Sequence, residues 1–464
     1  MFFLIVFSVS LIKAQPSFLK QVLQNGYSDA RGIVCADDQS FIITGLDKTN
    51  IDTTGDMYAM KISNSGTIQW TKHYGLKKED GGNSILKLAD NNFLITGHSD
   101  FHHDECDGYL IKINEKGDKI WSILLGDSIL DDVLIASIED ANGNIYSIGR
   151  TESFGSLKYD FYLTKVSADG LMIFQKHYGS ANNEIGNSLT FTSDGNILMV
   201  GYSYETDNNL GDFFMVNCNK DGIENWRKNT VNLGNDILHK TIAINNNMCI
   251  VGQKFDMNLG LQTYIATIDN SGAILNENTT GFNGDDIIMS AILSNNGVIQ
   301  CLAYTTSYGD TLGDVALMQF DMNCQLKSIG FFGTSDFDQC GDFKFQKDGS
   351  CIMVGKSGKN NQALSSLIIK TDASGLLGVN QVLKNDYILF PNPVKDILSI
   401  ELKSEPMSES SASIYNMEGR CLKNYILNTL ITLIDLADLP QGVYVVKVLS
   451  KNTEVFHQLI IRAN

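Results

Sequence analysis

The sequence predicts an all-β protein: a seven-bladed β-propeller with four-stranded blades and N-terminal velcro closure, followed by a small Ig-like β-sandwich. The first observation is a repeat. Short apolar runs ending in a small residue recur as FIITG, FLITG, IYSIG, ILMVG, MCIVG, VIQCLA and CIMVG. They close on Gly45, Gly97, Gly149, Gly201, Gly252, Ala303 and Gly355, at intervals of 52, 52, 52, 51, 51 and 52. A fixed period of this length marks supersecondary units that stack on one another. The second observation is the content of a unit. DGGNSILKLADNNFLITG, a connection, then DGYLIKINEKGDKIWSILLG read as four short strands, with turns ADNN and NEKG of the type hairpins need. The third is proline. None of the five prolines lies between Pro16 and Pro391, as expected where nearly every backbone N–H serves a ladder bond.

In chain order, MFFLIVFSVSLIKAQ opens with an apolar run from Phe2 to Ile12, too short to span a bilayer but suited to a signal peptide. Ala14 fits position −1 of the cleavage site, with Gln15 opening the mature chain. SFLKQVLQNG (17–26) matches IQWTKHYG (68–75) in pattern and final glycine, whereas the seventh unit stops at IIKTDASGLL without a fourth strand. The mature N-terminus is therefore expected to complete the last blade. The expected boundaries are 1–14 for the signal peptide, 15–379 for the propeller, 380–386 for a linker and 387–464 for the tail.

Two acidic positions recur with the units. One opens the first strands: Asp29, Asp80, Asp131, Glu184, Asp236, Asp286 and Asp338. The other opens the third strands: Asp56, Asp107, Asp160, Asp212 and Asp314, with Thr263 and Ser366 in the remaining units. The first set has two readings. It forms a carboxylate ring at the channel mouth that recruits a divalent cation, or each acid accepts backbone N–H bonds between blades, the stronger reading for Asp at turns. Trp70, Trp121 and Trp226, with Phe174, share one repeat position suited to packing between blades. These units resemble the secreted propeller repeats of pattern YG-x4-D-x-G…DG-x-x-ITG…D-x-Y-x-x-K…G-x-x-x-W, which implies a fold and no activity.

The net charge of −18 argues against nucleic acid or an anionic membrane as the main partner. It divides unevenly: 27 Lys/Arg against 44 Asp/Glu over 1–380, but 8 against 9 over 381–464. The nine cysteines are odd in number and lack any CxxC, so they are read mostly as buried thiols, with Cys340 and Cys351 the first pair to check. No later run of 18 apolar residues exists to hold the mature chain in a membrane.

The tail changes character. ILFPNPVKDILSIEL, ASIYNMEGRCL and ITLIDLADLPQGVYVVKVLSKNTEVFHQLIIR are alternating strands between turn signals, with Pro391, Asn392 and Pro393 fixing an extended entry. These segments resemble the type A C-terminal sorting domain of the type IX secretion system. FPNP, the glycine of IYNMEGR (Gly419), and Gly442 and Tyr444 of LADLPQGVYVVKV fall on its motif; the last strand ends IIRAN where that family more often stops on lysine. The resemblance implies the type IX machinery as a partner and passage across the outer membrane, to an extracellular or surface-anchored place.

Candidate chemistry is sparse. HSDFHHDECD (98–107) gathers His98, His102, His103, Asp104, Glu105 and Cys106, ligand types for Zn²⁺ or Cu²⁺, but lies on a single connection and recurs in no other unit. GHSDF (97–101) lacks the closing glycine of a nucleophile elbow, and the aspartate turns lack calcium-loop spacing. No catalytic residue or cofactor is assigned, and the metal question stays open. The units keep to 50–53 residues without a catalytic insert. That favours a non-catalytic binding, adhesion or structural module for an extracellular glycan or protein; the alternative is a secreted hydrolase or lyase for glycans or peptides at the channel mouth.

Overall fold

The computed structural model describes Phe18–Thr371 and Tyr387–Arg462, apart from short stretches at 23–25, 50–54, 77, 103–104, 128–129, 155–157, 206–209, 231–233, 282–283, 295, 308–312, 335, 359–363, 391–393, 403–409, 417–419, 428, 430 and 451–452. The chain divides into two compact units, split between Leu377 and Gly378.

The first unit is seven four-stranded antiparallel sheets. Blade one is typical: Gly26–Cys35, Phe41–Thr49, Asp56–Ile62 and Ile68–His73 follow one another as a meander. Blade seven has only three strands of its own, Phe337–Phe345, Cys351–Gly358 and Ser365–Lys370. Its fourth is Phe18–Val22, antiparallel to Ser365–Lys370 from Phe18 opposite Lys370 to Val22 opposite Ser366. The closing strand occupies an edge that would otherwise expose unpaired backbone groups.

The apolar runs are nearly continuous, rather than alternating, because both faces of each blade are buried. Period two sends neighbours to opposite interfaces. Ile42 packs toward blade two and Ile43 toward blade seven, and Leu94 and Ile95 part in the same way. The buried residues thus form seven separate cores, one between each pair of adjacent blades. An open fan of seven blades would have six; the seventh joins Val22, Ile352 and Ile368 to Ala30, Ile43 and Tyr58.

The tryptophans lock neighbouring blades. Trp70 covers Gly117, Trp121 covers Gly170 and Trp226 covers Gly272, so that a Cβ on each glycine would lie 3.0, 2.7 and 2.6 Å from the indole. These glycines also hold φ of +76°, +78° and +72°. Phe18 does the same to Gly66 across the seam.

The second unit contains two sheets. Tyr387–Phe390, Ile397–Leu402 and Ile431–Asp435 form one; Cys421–Ile426, Ser410–Tyr415, Gly442–Ser450 and Thr453–Arg462 form the other. Alternate residues Leu398 and Ile400 of the first join Ala412, Ile414, Tyr444, Val446 and Val448 of the second in one core. Among the described residues no helix is long and apolar enough to cross a membrane.

Candidate functional site: the central channel

The repeat glycine and the channel have a common cause. In every blade the first strand carries one extra residue against the second, a β-bulge beginning at the residue that faces Gly45, Gly97, Gly149, Gly201, Gly252, Ala303 or Gly355. The bulged backbone presses on the marker: a Cβ on Gly45 would lie 1.8 Å from the Asp29 carbonyl oxygen, and one on Gly149 as close to that of Val133. Bulges re-aim a side chain. The seven extra residues are Arg31, Asn83, Ile135, Asn187, His239, Met289 and Gly341, and all seven line one central cavity of about 500 Å³.

The cavity wall also holds Asp29, Arg150, Lys240, Asp342 and Lys356. Arg31 donates Nε to Asp29 (3.0 Å) and Nη1 to Asn83 Oδ1 (2.9 Å). Asp342 accepts from Lys344 (2.7 Å) and Ser290 (2.9 Å). The other cations are held loosely. Lys356 Nζ is 4.0 Å from Asp29, Arg150 Nη2 is 4.0 Å from Asp131, and Arg150 Nε is buried without a partner. Arg150 stacks 4.7 Å over the Tyr159 ring.

Electrostatics follow from burial. Desolvation, with Arg31 and Arg150 nearby, pushes the His98 imidazole down to about 4. Desolvation also lowers His239 and Lys240. At Asp342 burial acts upward, but Lys344 and Lys240 outweigh it and hold the carboxyl low. The Cys106 thiol is raised by burial and by Asp100, whose Oδ1 lies 2.6 Å from Sγ.

The register reassigns the acidic ring. Two residues before the marker-facing position stand Ser28, Asp80, Asp132, Glu184, Asp236, Asp286 and Asp338. Asp29 and Asp131 do not belong to it. Asp29 is one residue late and enters the channel. Asp131 is one residue early and caps Cys106 N–H (2.9 Å) and the Tyr159 hydroxyl (3.2 Å). The six true members are buried, from 0% to 4% exposed; Asp80, Asp132, Glu184 and Asp338 cap the connections between blades, and Asp236 and Asp286 cap the end of the second strand of their own blade. Leu76 N–H donates to Asp80 (2.7 Å), Asp127 to Asp132 (2.8 Å), Ser180 to Glu184 (3.0 Å), Phe255 to Asp236 (2.8 Å), and Thr334 to Asp338; Ser307 Oγ donates to Asp286 (2.7 Å).

The third-strand acids share this cap. A Cβ on Gly75 would meet Asp56 Oδ1 at 1.8 Å and Asp80 Oδ2 at 3.1 Å, and Gly179 and Gly333 stand likewise between Asp160 and Glu184 and between Asp314 and Asp338. The spacing YG-x4-D thus records two carboxylates of adjacent blades closing on one glycine. In blades five and seven the third-strand position belongs to Gln262 and Ser365, not Thr263 and Ser366, because the preceding connection is one residue shorter.

The histidine-rich segment is an extended hairpin rather than a loop, with Phe93–His102 and Glu105–Ile113 paired out to His102 opposite Glu105. His98 faces the channel; His103 and Asp104 lie outside the described residues. No cluster of three His, Cys, Asp or Glu suited to a metal occurs among the described residues. All nine cysteines are free, and Cys340 and Cys351 face Gly355 and Phe345 instead of each other. In the tail, Tyr444 donates its hydroxyl to the Pro440 carbonyl (2.6 Å) two residues into the strand that Gly442 opens. Ala14, Gln15, Pro391, Asn392, Pro393 and Gly419 lie outside the described residues. No shared chemistry in the sequence announces the bulge residues; the signal that marks them is a fixed place, 13 or 14 residues before the marker, filled by a different side chain in nearly every unit.

Residues 388–462 match the secretion system C-terminal sorting domain family. That domain directs secretion across the outer membrane, to the cell surface or extracellular space, by the type IX machinery. No curated protein matches the chain in sequence. Similar solved structures include PorZ, an essential surface component of the type-IX secretion system of Porphyromonas gingivalis (11% identity, 93% of this chain and 59% of that chain, TM-score 0.43). Others are the Neurospora crassa Pan2 WD40 domain (11%, 76% and 95%, 0.48) and puromycin hydrolase (11%, 81% and 58%, 0.50). The chain spans 59% of the length of the first. The likeness to puromycin hydrolase concerns the fold alone.

Proposed function

We propose that the protein is an exported, non-catalytic binding module: residues 1–14 are a removed leader, 15–379 the binding ring, 380–386 a linker and 387–464 the address. Its ligand, an extracellular glycan or protein segment, is taken at the channel mouth. One contrast supports this reading. Positions that hold the ring together repeat, with six acids at seven caps, whereas the bulge position that faces the channel carries Arg, Asn, Ile, Asn, His, Met and Gly. A structural ring has no use for such variety at its axis; a specific site does.

The channel chemistry favours binding over turnover. The Cys106 thiol is pushed up by burial and by Asp100, and His98 Nδ1 is buried without a partner, so no histidine-activated nucleophile forms there among the described residues. A glycan array and whole-cell binding with the full chain test the proposal. Binding should fall in Arg31→Ala and stay intact in Ile223→Ser, a change on the outer rim. Binding lost only in the rim variant, or release of cleaved glycan, would overturn it.

A further inference from the structure

We infer that the channel takes a small ligand bearing an oxyanion, a carboxylate or a phosphate group; this rests on the channel being the binding site. The charge balance of the cavity is opposite to that of the molecule. The chain carries −18, yet the wall holds Arg31, Arg150, Lys240 and Lys356 against Asp29 and Asp342. Asp29 is engaged by Arg31 and Asp342 by Lys344. Arg150, Lys240 and Lys356 are left without a close ion pair.

Several lysines elsewhere are paired closely, although Lys370 Nζ in blade seven is also buried without a hydrogen-bond partner. Lys61 lies 2.9 and 2.8 Å from Asp38 and Glu115, Lys72 lies 2.7 Å from Asp118, and Lys112 lies 2.7 Å from Asp90. In the channel, among the described residues, the nearest carboxylates to Arg150 and Lys356 stand at 4.0 Å, and Lys240 Nζ has no hydrogen bond or ion pair, only the opposing fields of Asp342 and Lys344. Cations gathered in a cavity with only distant carboxylates repel one another, and a bound anion offsets that repulsion. The unpartnered Arg150 Nε adds a directed donor of the kind that grips carboxylate and phosphate oxygens. A cavity of about 500 Å³ has the size of a small-molecule site.

Calorimetry on the full chain, with sodium phosphate, citrate, glucuronate and uncharged glucose at an ionic strength fixed with sodium chloride, tests this. At least one oxyanion should bind saturably, one per chain, and glucose should not. Phosphate alone, or carboxylates alone, supports the inference and says which group is read. Affinity should fall about tenfold or more in Arg150→Gln, Lys240→Gln and Lys356→Gln. Asp342→Asn, which removes a negative charge from the wall, should tighten binding, a sign that a merely damaged fold does not give; it carries the test if Lys240→Gln fails to fold. No saturable oxyanion binding at millimolar concentration would overturn the inference. Glucose binding as well as glucuronate, and weakened in Arg31→Ala, would overturn it too while leaving the channel as the binding site.

Discussion

Ser28 and Asp47 face each other across the first two strands of blade one and carry, in exchanged places, a pair that five other blades share. There the acid stands on the first strand and the hydroxyl on the second: Asp80 and Ser99, Asp132 and Thr151, Glu184 and Ser203, Asp286 and Thr305, Asp338 and Ser357. The exchange keeps one carboxylate per site. Asp47, 3% exposed, accepts from His73 Nε2 at 3.0 Å, while Ser28 Oγ meets Ser366 Oγ at 2.8 Å across the seam with blade seven.

Two carboxylates cannot share such a desolvated site without cost. Ser28→Asp should destabilise by roughly 2–4 kcal/mol through an added buried charge. Ser28→Asp with Asp47→Ser recreates the arrangement of the other blades and should recover part of that loss, with a coupling of about 1–3 kcal/mol. Urea unfolding of the four chains measures it; strict additivity would separate the two positions.

Closure depends on five residues and one aromatic ring. Removing Phe18–Val22 exposes the Ser365–Lys370 edge and should cause aggregation. Phe18→Ala keeps the strand but uncovers Gly66, and should cost roughly 1–3 kcal/mol. A deletion of equal length within 380–386 should leave the melting temperature unchanged. Equal melting of both deletions would count against the closing strand as the lock of the ring.

Blade number, strand number and closure were legible in the sequence because each rests on a local signal repeated seven times. Register was not. A bulge adds one residue in a place that composition does not announce, so counting back from the marker put Asp29 and Asp131 on a ring that the pairing assigns to Ser28 and Asp132. The channel was hidden for a related reason. Its residues share a position but no chemistry, and a search for recurrence passes over Arg31, His239 and Gly341 by design.

The address is expected to be separable. A chain ending before residue 387 should fold and remain in the periplasm of a host with type IX secretion, because the ring and the tail are each a compact unit with a core of its own. Cell fractionation decides it. Normal amounts of the truncated chain at the surface or in the medium would place the export signal elsewhere.

Two buried groups give stability opposite pH slopes. Asp80 is raised to about 6, by desolvation first and then by Asp56. The folded state therefore takes the proton before the unfolded state, with its ordinary carboxyl near 4, and stability rises as pH falls through about 6. His98 is lowered to about 4, so between about 6.5 and 4 the unfolded state binds the proton and stability falls on acidification. Each effect is worth roughly 1–3 kcal/mol, and in the wild type they partly cancel. Asp80→Asn keeps an acceptor for Leu76 N–H without a buried charge. It should be neutral or stabilising at pH 8 and should then lose stability steeply toward pH 4.5. His98→Asn should do the reverse, gaining relative to wild type as the pH drops. Urea unfolding at pH 8, 6 and 4.5 reads both slopes, and parallel curves for the two variants would mean that neither group is buried as the fold places it.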